Sequence, residues 1–501
     1  MGLRVTTLRD TIRQRLARER GTLYRSAPSR VALVYPSPYR VGMSSLGYQV
    51  LYRELNRHPD TSAERAFAPE DLHEARERRE AVLTYETGTP LGAFPVVALS
   101  VAYETELAGL ISTLELAQVP SLREERDPRS HPFVLVGGPL TFSNPLPVEP
   151  YADAVVLGEA EEVIHRVLDT LSEHREHAAR LRALAQLPHV WVPLLHGESL
   201  PAIAAADNAL LPAYGQVMTP DTELSDMFLV ETERGCSRGC TYCVMRRSTN
   251  GGMRLASLDA ILARIPEDAR KVGLVGAAVS DHPKIVDLVD TLAGQGRSVG
   301  LSSLRPDRLT DRFVGALKRA GYKTLTTAMD GPSERLRASL ERHAKVRHLE
   351  KAAELARAHG MQTLKLYLMV GLPTETDDDI DECVTFITGL SKVVPVALGV
   401  APFVAKKNTP LDGQPFAGIA TVEARLERLR RGLQGRADVR PTSARWAWVE
   451  WVLAQHGARA GRAVHDAVRA GGRFADWRRA FEAAGVAGAP RRRLATVPSA
   501  G

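Results

Sequence analysis

Short apolar runs alternate with helical segments over residues 30–175. Val31–Tyr35 and Val96–Val101 are apolar, partly β-branched runs of strand length, and each is followed after a loop by apolar residues at helical spacing. Phe133–Val136 and Ala154–Leu157 repeat this pattern, and a glycine follows each of them. Buried strands that alternate with helices predict an α/β fold with a doubly wound parallel sheet.

Three loops of this region are expected to meet at one edge of the predicted sheet. They are Pro36–Ser45, Gly137–Pro145 and Gly158–Glu161, and each directly follows a predicted strand. The carboxyl ends of parallel strands lie side by side, and doubly wound sheets bind their ligands in the crevice at those ends. A helix is predicted to begin within the first of these loops, near Ser44-Ser45, where serine is a favoured N-cap.

A second series of strands and helices runs from residue 228 to about residue 404. The predicted strands are Phe228–Glu231, Val272–Gly276, Val299–Ser303, Lys323–Ala328, Thr363–Val370 and Val394–Val400. The helices between them include Leu258–Ile265, Lys284–Ala293, Arg308–Ala320, Ser333–Arg342, Arg347–His359 and Asp377–Leu390. Six strand–helix units are fewer than the eight of a closed barrel, so the pattern predicts an open, partial (β/α)6 barrel.

The remaining segments complete a predicted organisation with boundaries at 1–29, 30–175, 176–225, 226–410, 411–488 and 489–501. The first segment contains a charged lead-in helix, and the five prolines of residues 176–225 indicate a connection without a compact core. After residue 411 the periodicity predicts a small helical region with helices at Val422–Leu433 and Trp446–Ala470. The last segment is expected to be a disordered tail.

Composition and charge narrow the class of protein. The chain is 44% hydrophobic and 25% charged, which is typical of globular proteins and excludes collagen-like and coiled-coil chains. The longest apolar run, Phe94–Tyr103, is about half of the roughly 20 residues that a membrane span needs. The net charge of +6 is spread along the chain, so it favours a solvated basic surface over a nucleic-acid-binding face. We expect a cytoplasmic protein with no membrane partner.

Three of the four cysteines lie within eight residues, in the segment Glu231-Thr-Glu-Arg-Gly-Cys236-Ser-Arg-Gly-Cys240-Thr-Tyr-Cys243. A disulfide scaffold of this size would spread more cysteines along the chain, so the clustering indicates a metal site in a reducing compartment. Thiolates are the usual ligands of iron–sulfur clusters. Three close cysteines can hold three irons of a four-iron cubane and leave the fourth iron to a non-protein ligand.

Zinc, a redox pair and structural thiols are the alternatives for this segment. A structural zinc site needs a fourth ligand nearby, but the next cysteine or histidine after Cys243 is His282. A Cys240/Cys243 redox pair would leave Cys236 unexplained. Cys383 lies on a predicted helix, where its spacing from apolar neighbours indicates packing as a small apolar residue. The residues therefore favour an iron–sulfur cluster without excluding these alternatives.

The segment resembles the signature of the radical S-adenosylmethionine superfamily. That signature is C-x3-C-x-aromatic-C after the first strand of a partial (β/α)6 barrel, and Tyr242 supplies the aromatic residue. The resemblance implies a [4Fe–4S] cluster on Cys236, Cys240 and Cys243, whose open iron chelates the amino and carboxylate groups of S-adenosylmethionine. It also implies reductive cleavage of S-adenosylmethionine to methionine and a 5′-deoxyadenosyl radical, with a reductant such as flavodoxin or ferredoxin.

The same resemblance implies further contacts to S-adenosylmethionine at the ends of the barrel strands. At the second strand only Gly276 matches the Gly-Gly-Glu motif of the superfamily. A carboxylate at Asp330 would bond the ribose, and the Arg335 guanidinium would match the methionine carboxylate. The alternative for Ser333 is a plain helix N-cap. The implied contacts are Tyr242, Gly276, Ala277, Ser303, Asp330, Ser333, Arg335 and Gly371.

Residues 31–172 resemble the cobalamin-binding-like Rossmann domain that precedes many barrels of this superfamily. The segments that carry this likeness are Ser44–Tyr48, Ala98–Ser100, Val136–Pro139 and Gly158–Glu161. The Asp-x-His-x-x-Gly motif, which places a histidine on cobalt, is absent, because residues 35–47 contain no histidine. The resemblance leaves cobalamin binding and a cobalamin-free scaffold both open.

After residue 29 the chain resembles uncharacterised iron–sulfur oxidoreductases of this superfamily, through Val41–Gly47, Pro402–Pro410 and Phe474–Trp477. We expect a radical enzyme that modifies an unidentified small-molecule or macromolecular substrate, by an oxidoreductase reaction or by cobalamin-dependent methylation. The alternatives are an RNA- or ribosome-modifying enzyme and a non-catalytic cluster-binding scaffold. The related methylthiotransferases carry three more cluster cysteines, which Cys383 alone cannot supply, but the basic tail leaves RNA open as a partner.

Overall fold

The first part of the molecule is a six-stranded sheet. The computed structural model describes residues 8–245 and 252–488. The strands of this N-terminal sheet are β1 (Ser29–Tyr35), β2 (Thr61–Phe67), β3 (Val96–Ser100), β4 (Phe133–Gly137), β5 (Ala154–Val156) and β6 (Val190–Trp191). Their order is β2–β1–β3–β4–β5–β6, and all pairs are parallel except β5 with β6. The predicted doubly wound sheet is confirmed.

Strand β1 shows why this sheet is buried on both faces. Ala32 and Val34 point into one hydrophobic core, whereas Val31 and Leu33 point into another on the opposite face. All four side chains are at most 2% exposed. Because both faces of the strand are covered, its sequence is continuously apolar rather than alternating, and this is the pattern that predicted it.

Strand β2 was absent from the predicted elements. Its sequence, Thr-Ser-Ala-Glu-Arg-Ala-Phe, looks polar, yet all seven residues are buried. Glu64 accepts hydrogen bonds from Arg30 at 2.8 Å and from Thr84 at 2.6 Å. Arg65 is ion-paired with Glu86 at 2.6 Å. Charged side chains with buried partners can occupy a strand, so a search for apolar runs misses it.

Residues 176–225 contribute more to the core than their prolines predicted. They contain α7 (His177–Leu184) and β6, which pairs with β5 as the last strand of the N-terminal sheet. Trp191 of β6 is fully buried. The first half of this segment thus packs onto an existing sheet and, as the prolines predicted, forms no compact core of its own.

The second part is an open, partial barrel, as predicted. Its strands are β7 (Met227–Glu231), β10 (Lys271–Val275), β11 (Ser298–Leu301), β12 (Thr324–Asp330), β13 (Thr363–Val370), β14 (Val396–Pro402) and β15 (Ala437–Pro441). They form two parallel sheets, β11–β10–β7 and β12–β13–β14–β15, which an isolated bridge between Leu304 and Thr327 connects. A short antiparallel hairpin of β8 (Glu233–Gly235) and β9 (Met253–Leu255) follows the first barrel strand.

Strand β15 extends the barrel beyond the six predicted strands. It pairs in parallel with β14 from Val396↔Ala437 to Val400↔Pro441. Its sequence, Ala-Asp-Val-Arg-Pro, alternates half-buried and exposed residues at the edge of the sheet. A five-residue run with two charges and a terminal proline lacks the apolar signal of the central strands, so it was not predicted.

Helices surround the N-terminal sheet and the barrel. They are α1 (Leu8–Leu16), α2 (Tyr39–Gly42), α3 (Leu46–Arg57), α4 (Leu72–Glu77), α5 (Leu107–Leu116), α6 (Val163–Glu173), α7, α8 (Pro193–His196), α9 (Leu258–Arg264), α10 (Ile285–Gly294), α11 (Asp311–Arg319), α12 (Glu334–Ser339), α13 (Val346–Ala358), α14 (Asp377–Ser391), α15 (Ile419–Gly432), α16 (Ala444–Gln455), α17 (Ala458–Arg469) and α18 (Phe474–Ala483). Ser45 caps α3, as predicted, by accepting a hydrogen bond from the Tyr48 amide. No helix among these described elements is long and apolar enough to cross a membrane.

The C-terminal helices pack against the N-terminal sheet. The single helix predicted over Trp446–Ala470 is two helices, α16 and α17, which Gly457 separates. Asn144, which follows β4, donates hydrogen bonds to the carbonyls of Leu453 and His456 at 2.9 and 2.7 Å. One hydrophobic core contains residues of the N-terminal sheet, of the barrel and of these helices. The three parts are therefore joined by shared packing.

Candidate functional site

The three clustered cysteines lie in one loop that begins where β8 ends. Gly235 adopts a φ of +85°, a conformation that favours glycine, and turns the chain into Cys236. Each thiol is partly exposed. The three thiols interact electrostatically. In addition to burial, the charge of Cys236 raises the pKa of Cys240, and the charges of both raise the pKa of Cys243. The fold therefore brings together the three side chains that the spacing predicted as ligands.

Two contacts hold this cysteine loop against the barrel. Arg238 donates a hydrogen bond at 3.2 Å to Asp281, which is buried in the turn after β10 and also pairs with Arg305 at 2.8 Å. The Thr241 amide donates to the carbonyl of Leu340 at 3.2 Å. The cysteine loop is therefore attached to the turn after β10 and to the residue that follows α12.

Arg342 and Asp330 form a largely buried ion pair beside Cys240. The positive charge of Arg342 also acts on the Cys240 thiol, and the Tyr242 side chain lies beside Asp330. Asp330 ends β12 with a φ of +67°, which is uncommon outside glycine. Backbone in this region persists where its surroundings hold it, and such residues concentrate at functional sites. Tyr242 and Asp330, both predicted cofactor contacts, are thus joined to the cysteine loop.

Burial raises the pKa of all three clustered thiols above the ordinary cysteine value. At Cys240 the positive charge of Arg342 acts in the opposite direction and favours the thiolate. Metal ligation requires the thiolate form of cysteine. A bound metal would neutralise the negative charge of the thiolate, which burial disfavours when no metal is bound. The environment therefore suits thiols whose charge is neutralised by a metal.

Glu233 places a buried carboxylate against the turn that ends β10. Its Oε1 accepts a hydrogen bond from the Ala278 amide at 2.6 Å, while its Oε2 has no hydrogen-bond partner among the described residues. Burial, aided by the nearby charges of Glu231 and Asp281, raises the pKa of Glu233 to about 8. A Cβ on Gly276 would lie 2.2 Å from Oε1, so glycine is required there to leave room for this carboxylate.

Two further predicted contacts are exposed at neighbouring strand ends. Ala277 follows β10 and Ser303 follows β11, and both are exposed. Strands β10 and β11 are parallel neighbours, so their carboxyl ends lie at the same edge of the sheet as the end of β7. The structure thus places both residues at the edge from which the cysteine loop departs.

Ser333 and Arg335 are bonded to a common aspartate. Ser333 is fully buried, accepts a hydrogen bond from the Leu336 amide at 3.2 Å and donates one to Asp379 at 2.6 Å. This confirms its alternative interpretation as the N-cap of α12. Arg335 is half-exposed and pairs with Asp379 at 2.5 Å. The Arg335 guanidinium, which was predicted to match the methionine carboxylate, therefore already contacts a carboxylate of this chain.

Gly371 lies in the turn between β13 and α14. It has a φ of +80°, and its amide donates a hydrogen bond to Glu375 at 2.8 Å. Glu375 in turn pairs with Arg425 at 2.9 Å. The segment Gly371–Thr376 is therefore a tight strand-to-helix turn, which Glu375 stabilises.

The candidate ligands in the cysteine loop are three partly exposed thiols. Within residues 8–245 and 252–488, no group of three or more His, Cys, Asp or Glu side chains is arranged to hold one metal ion. In a cubane each thiolate binds a different iron, so the sulfurs lie farther apart than they do around a single zinc ion. Three thiols on one loop, with the charge of a guanidinium acting on one of them, suit such a cluster.

Three residues at this site were not predicted from the sequence: Glu233, Arg234 and Arg342. Glu233 and Arg234 lie inside the cysteine segment itself, so their position next to Cys236 was an available signal. Arg342 lies far along the chain from Cys240 and belongs to no motif. Only the path of the backbone after β12 brings it to the cysteine loop.

The fourth cysteine is separate from this site, as predicted. Cys383 on α14 is fully buried in the hydrophobic core of the barrel. Burial raises the pKa of its thiol to about 12. It therefore packs as an apolar residue and is not available as a ligand.

Two protein-family models match the chain. The model described as the radical SAM superfamily matches residues 230–387, which include the cysteine loop and the barrel through most of α14. The model described as radical SAM proteins, N-terminal, matches residues 47–193, which include most of the N-terminal sheet. Together these matches include most of the N-terminal sheet and most of the barrel strands.

Relatives of similar sequence include one nearly full-length match. An uncharacterized protein of Methanocaldococcus jannaschii is 26% identical over 398 residues, which cover 77% of this chain and 80% of that protein. A tRNA-2-methylthio-N(6)-dimethylallyladenosine synthase of Aquifex aeolicus is 28% identical over 222 residues. That match covers 40% of this chain and 48% of the synthase, so the chain spans about half of that relative.

Two solved structures share the fold. The radical S-adenosylmethionine methyltransferase TsrM from Kitasatospora setae, solved with tryptophan and an S-adenosylmethionine analogue, superposes with a TM-score of 0.51 at 15% identity. This similarity covers 74% of this chain and 72% of TsrM. The cobalamin-dependent S-adenosylmethionine radical enzyme OxsB, with aqua-cobalamin bound, gives a TM-score of 0.50 at 14% identity and covers 82% of this chain and 58% of OxsB.

Proposed function

We propose that this chain, which belongs to the radical S-adenosylmethionine superfamily, uses its cysteine loop to cleave S-adenosylmethionine reductively and modify a substrate at the open barrel. The chain is a radical enzyme whose substrate is unknown, with a [4Fe–4S] cluster and S-adenosylmethionine as cofactors. The observation that carries the proposal is a loop of three mutually close thiols, with the Asp330–Arg342 ion pair beside Cys240.

Cys236, Cys240 and Cys243 are the proposed ligands of the cluster. When bound, the cluster supplies the electron that breaks a carbon–sulfur bond of S-adenosylmethionine. Arg342 would donate a hydrogen bond to the sulfur of Cys240 and balance part of the negative charge, while Asp330 holds the guanidinium in place. The electron would come from a protein reductant such as flavodoxin or ferredoxin.

The proposed contacts to S-adenosylmethionine follow from the strand ends around the loop. Tyr242 and Asp330 lie side by side near the thiols, where a carboxylate would accept hydrogen bonds from a ribose. The buried Oε2 of Glu233, which has no hydrogen-bond partner within residues 8–245 and 252–488, is an acceptor suited to a cationic amine. Ser333 would act only by positioning α12. The remaining proposed contacts are Gly276, Ala277, Ser303, Arg335 and Gly371.

Strand β13 offers a surface for the substrate inside the open barrel. Leu366 and Leu368 pack into the core between the barrel and its helices, so Lys365 and Tyr367 point to the opposite, inner face. Tyr367 is 40% exposed, and the Lys365 ammonium lies 4.8 Å from the centre of its ring. An exposed aromatic ring with an adjacent cation would bind a substrate that carries a planar or anionic group.

Cobalamin-dependent methylation is the second candidate, which the fold shared with TsrM and OxsB favours. A crevice of about 490 Å³ lies between the ends of β1 and β3, where the strand order reverses, and is lined by residues that include Ser37, Tyr103 and Glu106. The turn over residues 35–47 supplies no histidine to cobalt. Co-purified cobalt, or a changed cobalamin spectrum on mixing, would support this candidate; neither would be seen if the domain is only a scaffold.

An RNA substrate is the third candidate, supported by the partial similarity to the tRNA-modifying synthase of Aquifex aeolicus. A second cluster on three further cysteines is excluded by the count of four, of which Cys383 is buried in the core. A salt-dependent affinity for tRNA would support the candidate, because phosphate contacts release counterions. Equal binding at low and high salt, or none, would argue against it.

The proposed organisation retains the predicted boundaries. It comprises a lead-in (1–29), a Rossmann-like unit (30–175), a connector (176–225), the radical S-adenosylmethionine barrel (226–410) and a helical C-terminal region (411–488). The expected disordered tail (489–501) lies outside the described residues. We propose a cytoplasmic location, where a reducing environment would keep the clustered thiols available.

The ligand assignment is tested by anaerobic reconstitution with iron and sulfide. Wild-type protein should bind about four irons and show the electron paramagnetic resonance spectrum of a reduced [4Fe–4S] cluster. Cys240→Ala should lose the cluster, whereas Cys383→Ala, which changes a cysteine in the core, should retain it. Full iron content and an unchanged spectrum in Cys240→Ala would contradict the assignment.

A further inference from the structure

The turn after β5 of the N-terminal sheet contacts the hairpin that leads into the cysteine loop. This turn is the segment Gly158–Glu161, and the hairpin consists of β8 and β9. Arg234 of β8 lies directly opposite Arg254 of β9. Cys236 is only two residues beyond Arg234. The position of this hairpin therefore determines where the cysteine loop begins.

The hairpin has little stability of its own. Each strand is three residues long, and isolated two-stranded hairpins are at best marginally stable. Like charges directly opposite each other destabilise an antiparallel pair, and here two arginines are opposite. The side chains of Arg234 and Arg254 are only 13% and 18% exposed, so water screens their repulsion weakly.

Carboxylates from the N-terminal sheet neutralise both arginines. Glu159 accepts hydrogen bonds from Arg234 at 3.1 Å and from Arg254 at 2.7 Å, so one carboxylate bridges the two strands. Glu161 accepts from Arg234 at 2.8 Å. Within the barrel, Glu231 binds the remaining edge of the Arg234 guanidinium at 2.7 and 2.9 Å.

The turn that supplies these carboxylates is itself held in place. Gly158 has a φ of +91°, and a Cβ there would lie 2.5 Å from the carbonyl oxygen of Ala204. Glu159 accepts a hydrogen bond from the Ala206 amide at 2.8 Å, and the Ala206 carbonyl accepts one from Arg254 at 2.6 Å. The carboxylates are therefore presented from a closely packed backbone.

We propose that Glu159 and Glu161 are positioning residues for the cysteine loop. By binding Arg234 and Arg254 they hold the β8–β9 hairpin together and fix the backbone that enters Cys236. The N-terminal sheet would thus be required for the geometry of the iron–sulfur site, whether or not it binds a ligand of its own. The consequence for the cluster rests on the proposed function, whereas the consequence for the hairpin does not.

Hydrogen–deuterium exchange of the metal-free protein tests the effect on the hairpin. In Glu159→Gln/Glu161→Gln, the amides of β8 and β9 should exchange at least about tenfold faster than in wild type, because Arg254 loses its buried carboxylate and Arg234 keeps only Glu231. Strands β1 and β13 should exchange as in wild type. The control is Glu162→Gln, because Glu162 is exposed and, among the described residues, forms no ion pair with an arginine. Equal exchange of β8 and β9 in wild type, control and double variant would overturn the proposal.

A second variant distinguishes charge repulsion from general damage. Glu159→Gln alone should speed exchange in the hairpin, and adding Arg254→Gln should restore most of the protection, because one of the two opposed charges is then gone. If the effects of the two substitutions simply add, Glu159 does not act by neutralising the arginine pair, and the proposal is wrong. Recovery by Arg254→Gln is a result that a merely structural role of Glu159 would not produce.

The reconstituted protein tests the effect on the cluster. With wild type and the Glu162→Gln control loaded to the same iron content, Glu159→Gln/Glu161→Gln should give an altered electron paramagnetic resonance spectrum and a smaller spectral change on adding S-adenosylmethionine. If wild type forms a cluster and the double variant has the same spectrum and response, this inference fails and the proposed function stands. If wild type forms no cluster, the proposed function fails, while the exchange experiment still decides the role of the carboxylates in the hairpin.

Discussion

At the scale of single residues, Arg342 is the side chain with the most direct expected effect on the cluster. It is paired with Asp330, and its positive charge acts on the Cys240 thiol. Hydrogen bonds to cluster sulfurs and nearby charge set the reduction potential of iron–sulfur clusters. A positive charge beside a ligating sulfur favours the reduced, more negative cluster, so its removal should lower the potential.

Arg342→Gln should therefore make the cluster harder to reduce. We expect the ratio of reduced to oxidised cluster at a fixed potential to fall about tenfold, which is a shift of about 59 mV for a one-electron couple. A redox titration followed by electron paramagnetic resonance measures this. Arg347→Gln, which removes the same charge from an exposed position, is the control. Equal midpoint potentials in wild type and Arg342→Gln would show that Arg342 does not tune the cluster.

Glu233 should make the stability of the metal-free protein depend on pH. Its pKa rises from 4.5 to about 8 on folding, chiefly by burial and also because Glu231 and Asp281 are close. The folded state then retains a proton that the unfolded state has lost, so stability falls as the pH rises from about 4.5 to about 8 and is constant above that range. The total loss is at most about 5 kcal/mol.

Glu233→Gln should remove this pH dependence. Urea unfolding at pH 5 and pH 8 should give a larger fall in the free energy of unfolding for wild type than for the variant. Glu162→Gln, at an exposed glutamate, should behave as wild type. If wild type and Glu233→Gln lose the same free energy between the two pH values, the carboxyl does not carry a raised pKa in the folded protein.

Much of the candidate site could be predicted at this scale, because its chemistry is local in sequence. Cys236, Cys240 and Cys243 lie within eight residues, so their spacing alone indicated a cluster. Arg342 reaches Cys240 only through the path of the chain after β12, and no local pattern contains that information. Arg335 was predicted as a ligand contact, but the sequence could not show that Asp379 already pairs with it.

At the scale of elements, predictions succeeded where burial produced an apolar run and failed where buried charges were paired. Strand β13 was predicted with its observed bounds, Thr363–Val370. Strand β2 was missed because its Glu64 and Arg65 are buried with partners that are distant in sequence. The break between α16 and α17 was missed because both helices share one apolar periodicity, and only Gly457 marks the turn.

Arg65 shows how a polar strand is stabilised, and its removal is a test of that account. The Arg65 side chain is fully buried between Glu19, which follows α1, and Glu86, both of which are also buried. Arg65→Ala would leave two carboxylates without their partner and should destabilise the protein by about 3–5 kcal/mol. Urea unfolding measures this change in the free energy of unfolding.

The control for Arg65 is an arginine in an exposed ion pair. Arg312 on α11 pairs with Asp287 at 2.8 Å, and its side chain is 62% exposed. Arg312→Ala should cost far less stability than Arg65→Ala, because water screens exposed pairs. A cost for Arg65→Ala as small as that of Arg312→Ala would contradict the role of the buried pair in fixing β2 and α1.

At the scale of the whole molecule, the N-terminal sheet and the barrel meet through charged contacts near the cysteine loop. Lys406, which follows β14, pairs at 2.7 Å with Glu104, which follows β3, and at 2.7 Å with Glu450 on α16. This cluster and the contacts of Glu159 link all three parts of the chain. The two-part architecture could be predicted from the alternation of strands and helices, but the docking of the parts depends on pairs distant in sequence.

The central claim is that this assembly cleaves S-adenosylmethionine at the cysteine loop. The most direct measurement is the formation of 5′-deoxyadenosine and methionine by anaerobically reconstituted protein with dithionite and S-adenosylmethionine. We predict both products in equal amounts from wild type and neither from Cys240→Ala. If wild type with a full [4Fe–4S] cluster forms no 5′-deoxyadenosine, no methionine and no S-adenosylhomocysteine, the claim is contradicted.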